Sequence, residues 1–341
     1  MAGGRGLGFR RRIRYLLTRA RALNTANVGR IAGEAARLSG RPKWLVVLDM
    51  LWCSLVYETG FQDYLDWDFV LLSRRERRTY ITHPKSNHLA RKLNDPVLRG
   101  VFADKARFNA RFERWLGRAW IDVRETDAAG LAAFLAEHPV VMAKVPDSLS
   151  GHGIERVEAA EVDDVAAWRE RLLERRQFLV EEFIAQHPEM ARLNPSSVNS
   201  LRVITYFDGA ETRHLASVLK IGNGGAIDNF SGGGMYTMLD DEGVAHSPAF
   251  DESGTSYAVH PLSGTPIVGF RVPLYERILP MVDEMSRVIP RVPYVGWDIA
   301  IAPDRPIVIE GNPNSGVYQA KPSVSGVRTG LLPTYKSAIG F

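Results

Sequence analysis

The stretch YVGWDIAIAPDRPIVIEGNPN, residues 294–314, decides how the rest of the chain is read. Two short apolar runs, Gly296 to Ala302 and Pro306 to Glu310, flank the turn Pro303-Asp304-Arg305-Pro306, and this pattern predicts a hairpin. Side chains alternate along a strand, so Asp298, Ala300 and Ala302 share one face while Ile299 and Ile301 share the other. The second run ends in Glu310-Gly311-Asn312, a carboxylate and an amide two residues apart that point the same way. Folding the hairpin brings Asp298, Glu310 and Asn312 together as hard oxygen donors of the kind that suit Mg²⁺. Taken alone, the stretch equally suits a surface hairpin with a polar end.

Composition sets the frame around it. A chain of 341 residues, 45% hydrophobic and 24% charged, is long enough for two or three packed units of an ordinary globular protein. No apolar run reaches the roughly 20 residues that span a bilayer, and no signal core with a small-residue cleavage site opens the chain, so a cytoplasmic location is expected. The single Cys53, between Trp52 and Ser54, is expected to be a buried small hydrophobe. The net charge of +4 is unevenly placed, because the first 33 residues hold eight Arg and no Asp or Glu. Without them 35 basic residues face 39 acidic ones, a balance that argues against a nucleic-acid-binding core.

Phe9, Ile13, Leu16, Leu17, Ala20 and Leu23 recur at near-helical spacing among those Arg residues. Such a basic amphipathic segment, residues 1–33, suits an anionic membrane surface, a partner protein or the body of its own chain. Lys43 to Tyr57 is apolar, and the run SRRERR at 73–78 reads as an exposed helical surface. His83 and His88 lack a metal-helix spacing, and the first hundred residues are expected to form a mainly helical region. Beyond them, helices are expected at Lys105 to Leu116, Asp127 to Glu137, Val162 to Arg176 and Tyr275 to Val288. Strands are expected at Ala119 to Val123, Pro139 to Val145 and Gln177 to Ile184, with a hairpin of Ser200 to Phe207 and Arg213 to Ile221 turning at Asp208-Gly209.

Lys144 stands in a strand before the small-residue loop Ser148-Leu149-Ser150-Gly151-His152-Gly153. Such a loop brings backbone N–H groups to an anion, with the lysine as a point charge. There is no GxxxxGK[ST] and no GxGxxG, so nucleotide handling needs a different architecture. Singly, Lys105 also suits a solvated charge and Arg202 a partner for a core carboxylate.

In order, Lys105, Lys144 with its glycine loop, Glu181-Glu182-Phe183-Ile184, Arg202, Lys220, Asp298 and Glu310-x-Asn312 resemble the ATP-grasp superfamily, and SVNSLRVITYF and GWDIAI…EGNPN most resemble its sugar-transfer-associated branch. The resemblance covers about residues 95–325. It implies an α+β fold of two lobes sandwiching ATP after a mainly helical start, divided at 1–98, 99–184 and 185–341. Carried over residue by residue, it implies that Lys105 and Lys144 reach the nucleotide phosphates beneath Ser150, Gly151 and Gly153. Glu181, Glu182, Phe183 and Ile184 would read the adenine edge, and His187 falls near the ribose, where many relatives place Glu. Asp298, Glu310 and Asn312 would hold Mg²⁺, with two ions expected, and Arg202 and Lys220 would face the transferred phosphoryl group. Several relatives carry Arg two residues before the metal-binding Asp, and here that residue is Gly296.

The implied activity is ATP-dependent joining of a small-molecule carboxylate to an amine through an acylphosphate. The alternatives are phosphorylation of a hydroxyl, or a non-catalytic nucleotide-binding accessory of a glycan-assembly system. Ser231 to Tyr236 and Asn314 to Tyr318 flank the expected phosphate site and are the candidate specificity residues.

Overall fold

The computed structural model describes residues 25–148, 153–224, 228 and 230–341. Of the expected nucleotide-loop residues, Ser150 and Gly151 lie outside these, as does most of the Arg-rich start. The chain forms two compact units, one of residues 1–89 with 316–341 and one of residues 90–315. This differs from the expected division at 98 and 184. The last residues join the first unit because Gln319 bonds both backbone groups of Ile81, Lys321 Nζ lies 2.8 Å from Asp68 Oδ1, and Arg328 pairs with Glu76. Those partners sit more than two hundred residues away in sequence, so no local pattern announces them.

The first unit is helical. Helices Thr25–Ser39 and Lys43–Tyr57 pack together across the short link at Gly40, whose φ of +69° favours glycine. Helix Arg74–Arg77 starts at Ser73, which forms a capping box with Glu76. Ser73, Arg74, Arg75 and Arg78 are exposed as expected of this run, but Arg77 is buried. Its guanidinium binds both oxygens of Asp49, at 2.7 and 2.6 Å, and Tyr64 OH donates to the same carboxylate. Cys53 is fully buried as expected, and burial pushes its thiol up to about 12. Among the described residues no helix is long and apolar enough to cross a membrane.

The second unit holds two antiparallel sheets. Strands β1 (Trp120–Asp122), β2 (Val140–Lys144), β3 (Ile154–Glu158) and β4 (Leu179–Glu182) form the smaller sheet in the order β1-β4-β2-β3. Val141, Ala143, Val157 and Val180 line one face against helices Ala128–Glu137 and Val165–Glu174, capped by Asp127 and Asp164. Alternation therefore sends Met142, Lys144 and Glu181 to the opposite face.

The larger sheet contains β5 (Ser200–Phe207), β6 (Thr212–Ile221), β7 (Met235–Leu239), β8 (Ala249–Asp251), β9 (Ser256–Tyr257), β10 (Tyr294–Ile301) and β11 (Pro306–Asn312), in the order β11-β10-β5-β6-β7-β8-β9. Leu201, Val203, Leu219, Ile221, Trp297 and Ile299 form its apolar face, packed on helix Ile278–Ser286 and on Phe108 and Phe112 of helix Lys105–Phe112. Trp297 is fully buried with Nε1 donating to Thr205 Oγ1 at 3.0 Å. Truncating such a residue costs about 3–5 kcal/mol. The apolar face fixes the register, and the register puts the polar residues opposite.

Candidate functional site

Cross-strand partners share a face, so the pairs Glu310↔Asp298 and Asp298↔Arg202 set three charged residues in one row across β11, β10 and β5. Ala300↔Ser200, Ser200↔Lys220 and Lys220↔Tyr236 make the adjacent row. Asp298 is buried at the centre. Arg202 donates to both its oxygens, through Nε and, at 2.9 Å, Nη2, while Lys220 Nζ reaches Oδ2 at 3.3 Å. Burial alone would raise the Asp298 carboxyl, but Arg202 and Lys220 outweigh it and hold it at about 2. Arg202 Nη1 also donates to Ser315 O at 2.7 Å, and Lys220 lies 3.7 Å from Asp228, which in turn accepts from Ser200.

Gly296 makes room for Arg202. A Cβ there would lie 2.7 Å from Ser315 Cβ and 2.9 Å from Arg202 Cδ. The arginine stem lies across this backbone, so glycine is what lets Arg202 reach Asp298. The partnership also answers the plain reading of Arg202 as the companion of a core carboxylate: that carboxylate is Asp298 itself.

One residue of β11 has no counterpart. Asp298 faces Glu310 but Ile299 faces Val308, so Ile309 is a bulge. Arg118, absent from the sequence expectations, closes it by donating to Val308 O at 2.7 Å and Ile309 O at 3.3 Å. The other edge of the same guanidinium binds Glu181 Oε1, at 3.0 and 2.8 Å. Asn109 donates to that oxygen at 2.6 Å, and Lys144 pairs with Oε2. Burial opposes ionisation of Glu181, but Arg118 and Lys144 hold its carboxyl far below the usual range. The Glu181 side chain is thereby committed to positioning Lys144.

Helix Lys105–Phe112 starts at Asp104, whose carboxylate accepts from the N–H groups of Ala106 and Arg107. Lys105 and Asn109 are one turn apart and face the same way. Lys105 Nζ donates to Ser148 O at 2.6 Å, and it lies within electrostatic reach of Glu310, Lys144 and Glu181. Burial draws the Lys105 ammonium down from its usual value. Gly153 has φ of +71° and room for no side chain, since a Cβ would meet Val145 at 2.6 Å.

The remaining sequence candidates follow β4. Glu182 accepts from Ala119 N–H and the Phe183 N–H bonds Val140 O, so both are tied to the smaller sheet. Ile184 is half-buried beyond it. His187 caps helix Pro188–Leu193, its Nδ1 accepting from Glu189 N–H at 3.1 Å, which leaves Nε2 as the protonated nitrogen. Glu310 is half-buried and accepts from Asn312 Nδ2 at 3.2 Å.

The donor chemistry fits Mg²⁺. Asp298 uses three of about four lone-pair sites, and Glu310 has an amide rather than a cation as its bonded partner. Among the described residues no cluster of three or more His, Cys, Asp or Glu forms a metal cage. Two carboxylates and an amide, completed by waters and substrate phosphates, are the ordinary way such an ion is held.

Residues 172–328 match the family model for sugar-transfer associated ATP-grasp. No curated protein sequence matches the chain. Solved structures similar to it include the ATP-grasp ligase PsnB with a minimal precursor, at 14% identity over 81% of this chain and 73% of that one, TM-score 0.43. D-alanyl-alanine synthetase A from Vibrio cholerae is 9% identical over 72% of this chain and 67% of that one, TM-score 0.43. D-cycloserine synthetase DcsG is 14% identical over 72% of each chain, TM-score 0.41. Residues 172–328 therefore belong to the sugar-transfer-associated branch of the ATP-grasp superfamily, and the α+β fold built around them is the ATP-grasp fold.

Proposed function

We propose that the protein is an ATP-dependent ligase that joins a carboxylate to an amine. The observation that carries this reading is the convergence of Lys105, Lys144, Arg202 and Lys220 with Glu310 and Asp298 in a single compact unit. Phosphoryl transfer asks a protein for placement and charge rather than covalent help, and four fixed cations answer that need. Lys105 and Lys144 bind the nucleotide phosphates. Ile184 and its neighbours abut the adenine, and His187 Nε2–H is free to donate to the ribose. Glu310 and Asn312, with the remaining lone pair of Asp298, would hold Mg²⁺, two ions in the fullest form of this reading. Bound there, the metal would offset charge on the phosphate oxygens.

A carboxylate oxygen of the acid substrate attacks the γ-phosphorus, the bond to the β,γ-bridging oxygen breaks, and ADP leaves. Arg202 and Lys220 face the transferred group as its charge spreads. The amine then attacks the acyl carbon, phosphate departs, and the nitrogen loses a proton to form the amide. Water must be kept from the acylphosphate, which would otherwise hydrolyse. The reading places this reaction in the cytoplasm.

A screen crossing carboxylic acids with amines, read by ADP release and product mass, tests it. A pair yielding ADP, inorganic phosphate and a product lighter than the summed substrates by one water is expected. A stable phosphorylated product would replace the ligase with a kinase. Glu310→Ala should abolish ADP formation in the productive pair, and retained turnover in a folded variant would sink the metal role.

A further inference from the structure

Helix Lys43–Tyr57 has two apolar faces, and among the described residues only one is covered. Val46, Met50, Cys53 and Tyr57 are buried in the first unit. On the other side Trp44 is 64% exposed and Trp52 51%, with Leu45, Leu48, Leu51 and Val56 exposed between and beside them. At 100° per residue these six occupy one continuous stripe along about 18 Å of helix. The patch reaches the several hundred Å² that mark an interaction site rather than chance exposure. The one acid within the helix, Asp49, is turned inward to Arg77 and Tyr64.

The charge around the stripe selects the occupant. Arg37, Arg41 and Lys43 are exposed at the amino-terminal end of the helix, beside the exposed Leu38. The chain's own first 24 residues would bring seven more Arg and no acid to this rim, a like-charge contact. A second copy would bring the same apolar stripe and, beyond its carboxy-terminal end, one half-buried acid, Glu58, against three cations. An anionic bilayer answers both features: Trp side chains favour the headgroup level, leucines enter the acyl boundary, and Lys and Arg meet lipid phosphates. We propose that the outward face of helix Lys43–Tyr57 docks the protein, lying flat, on an anionic lipid surface, with the Trp44 to Val56 stripe inserted and the Arg37, Arg41 and Lys43 rim on the headgroups.

The test uses the full chain with vesicles of phosphatidylcholine, with and without phosphatidylglycerol. Sedimentation with the anionic vesicles and a blue shift of tryptophan emission are expected, both weakened by salt. Trp44→Ser with Trp52→Ser should lower recovery about tenfold with an unchanged thermal midpoint, since both side chains are exposed. Arg41→Glu with Lys43→Glu should lower recovery on anionic vesicles only. Undiminished recovery of the double tryptophan variant overturns the proposal. So does equal binding to neutral vesicles, or loss of a dimer by that variant in sedimentation equilibrium, which would assign the face to a second copy. Acrylamide quenching closes the last route: if Trp44 and Trp52 are shielded in the lipid-free full chain, its own start covers the stripe and the inference fails.

Discussion

Glu181 in the smaller sheet and Asp298 in the larger are the same device built twice. Each is a buried carboxylate that holds two cations from its own unit, and in each the cations win over burial and keep the acid ionised. They differ in what is left over. Glu181 is saturated by Arg118, Asn109 and Lys144. Asp298 keeps a lone pair and faces Glu310, a second carboxylate bonded to an amide. A saturated carboxylate can only position its partners, whereas an unsaturated pair can also accept a ligand. Arg118 joins the two, since it binds Glu181 and the bulge that aims Glu310.

The strongest way to break this comparison is to remove each acid. Asp298→Ala and Glu181→Ala should each lose about 3–5 kcal/mol by urea unfolding, because each strands buried cations. A loss below 1 kcal/mol for either would mean that its ions are in effect solvated. Glu310→Gln should separate the two roles: stability within about 0.5 kcal/mol of the parent, but ADP formation down about a hundredfold or more. Equal damage to stability and turnover would make Glu310 another positioning group.

The acid limb offers a smaller effect. Asp298 has an ordinary value of 3.8 and is held at about 2, so its contribution is fully present above 3.8 and is lost as pH falls toward 2. The shift corresponds to about 2 kcal/mol. Asp298→Asn should flatten urea stability across that window while Glu181 still contributes there. Parallel pH profiles for parent and variant would contradict the pairing. Gly296→Ala, which crowds Arg202, should cost about 1–3 kcal/mol and lower turnover; a neutral result would show that Ser315 yields. His187→Ala should lose only about 1 kcal/mol as a helix cap, with any rise in the KM for ATP reporting the ribose contact separately.

The opening hairpin was legible because it is local: alternation and a Pro-Asp-Arg-Pro turn require β10 and β11 and put Asp298 and Glu310 on one side. The β5–β6 hairpin and the helix that begins at Asp127 concern residues a few positions apart. Arg118 and Asn109 carried no such signal. Their partners lie 63 and 72 residues downstream, and an isolated Arg or Asn has many solvated alternatives. Gly296 was visible as a departure from relatives, but its reason is a side chain from another strand.

Sequence by itself determined the ATP-grasp pattern, the faces of the strands and the identity of the charged residues, since periodicity and residue chemistry are carried by neighbours along the chain. Only the tertiary structure decided that Glu181 holds Lys144, that Asp298 is shared by Arg202 and Lys220, and that Arg118 ties both to the Ile309 bulge. It also decided that, among the described residues, one apolar face of helix Lys43–Tyr57 is exposed. Burial and ion pairing depend on which distant surfaces meet, and that is settled when the sheets and helices pack.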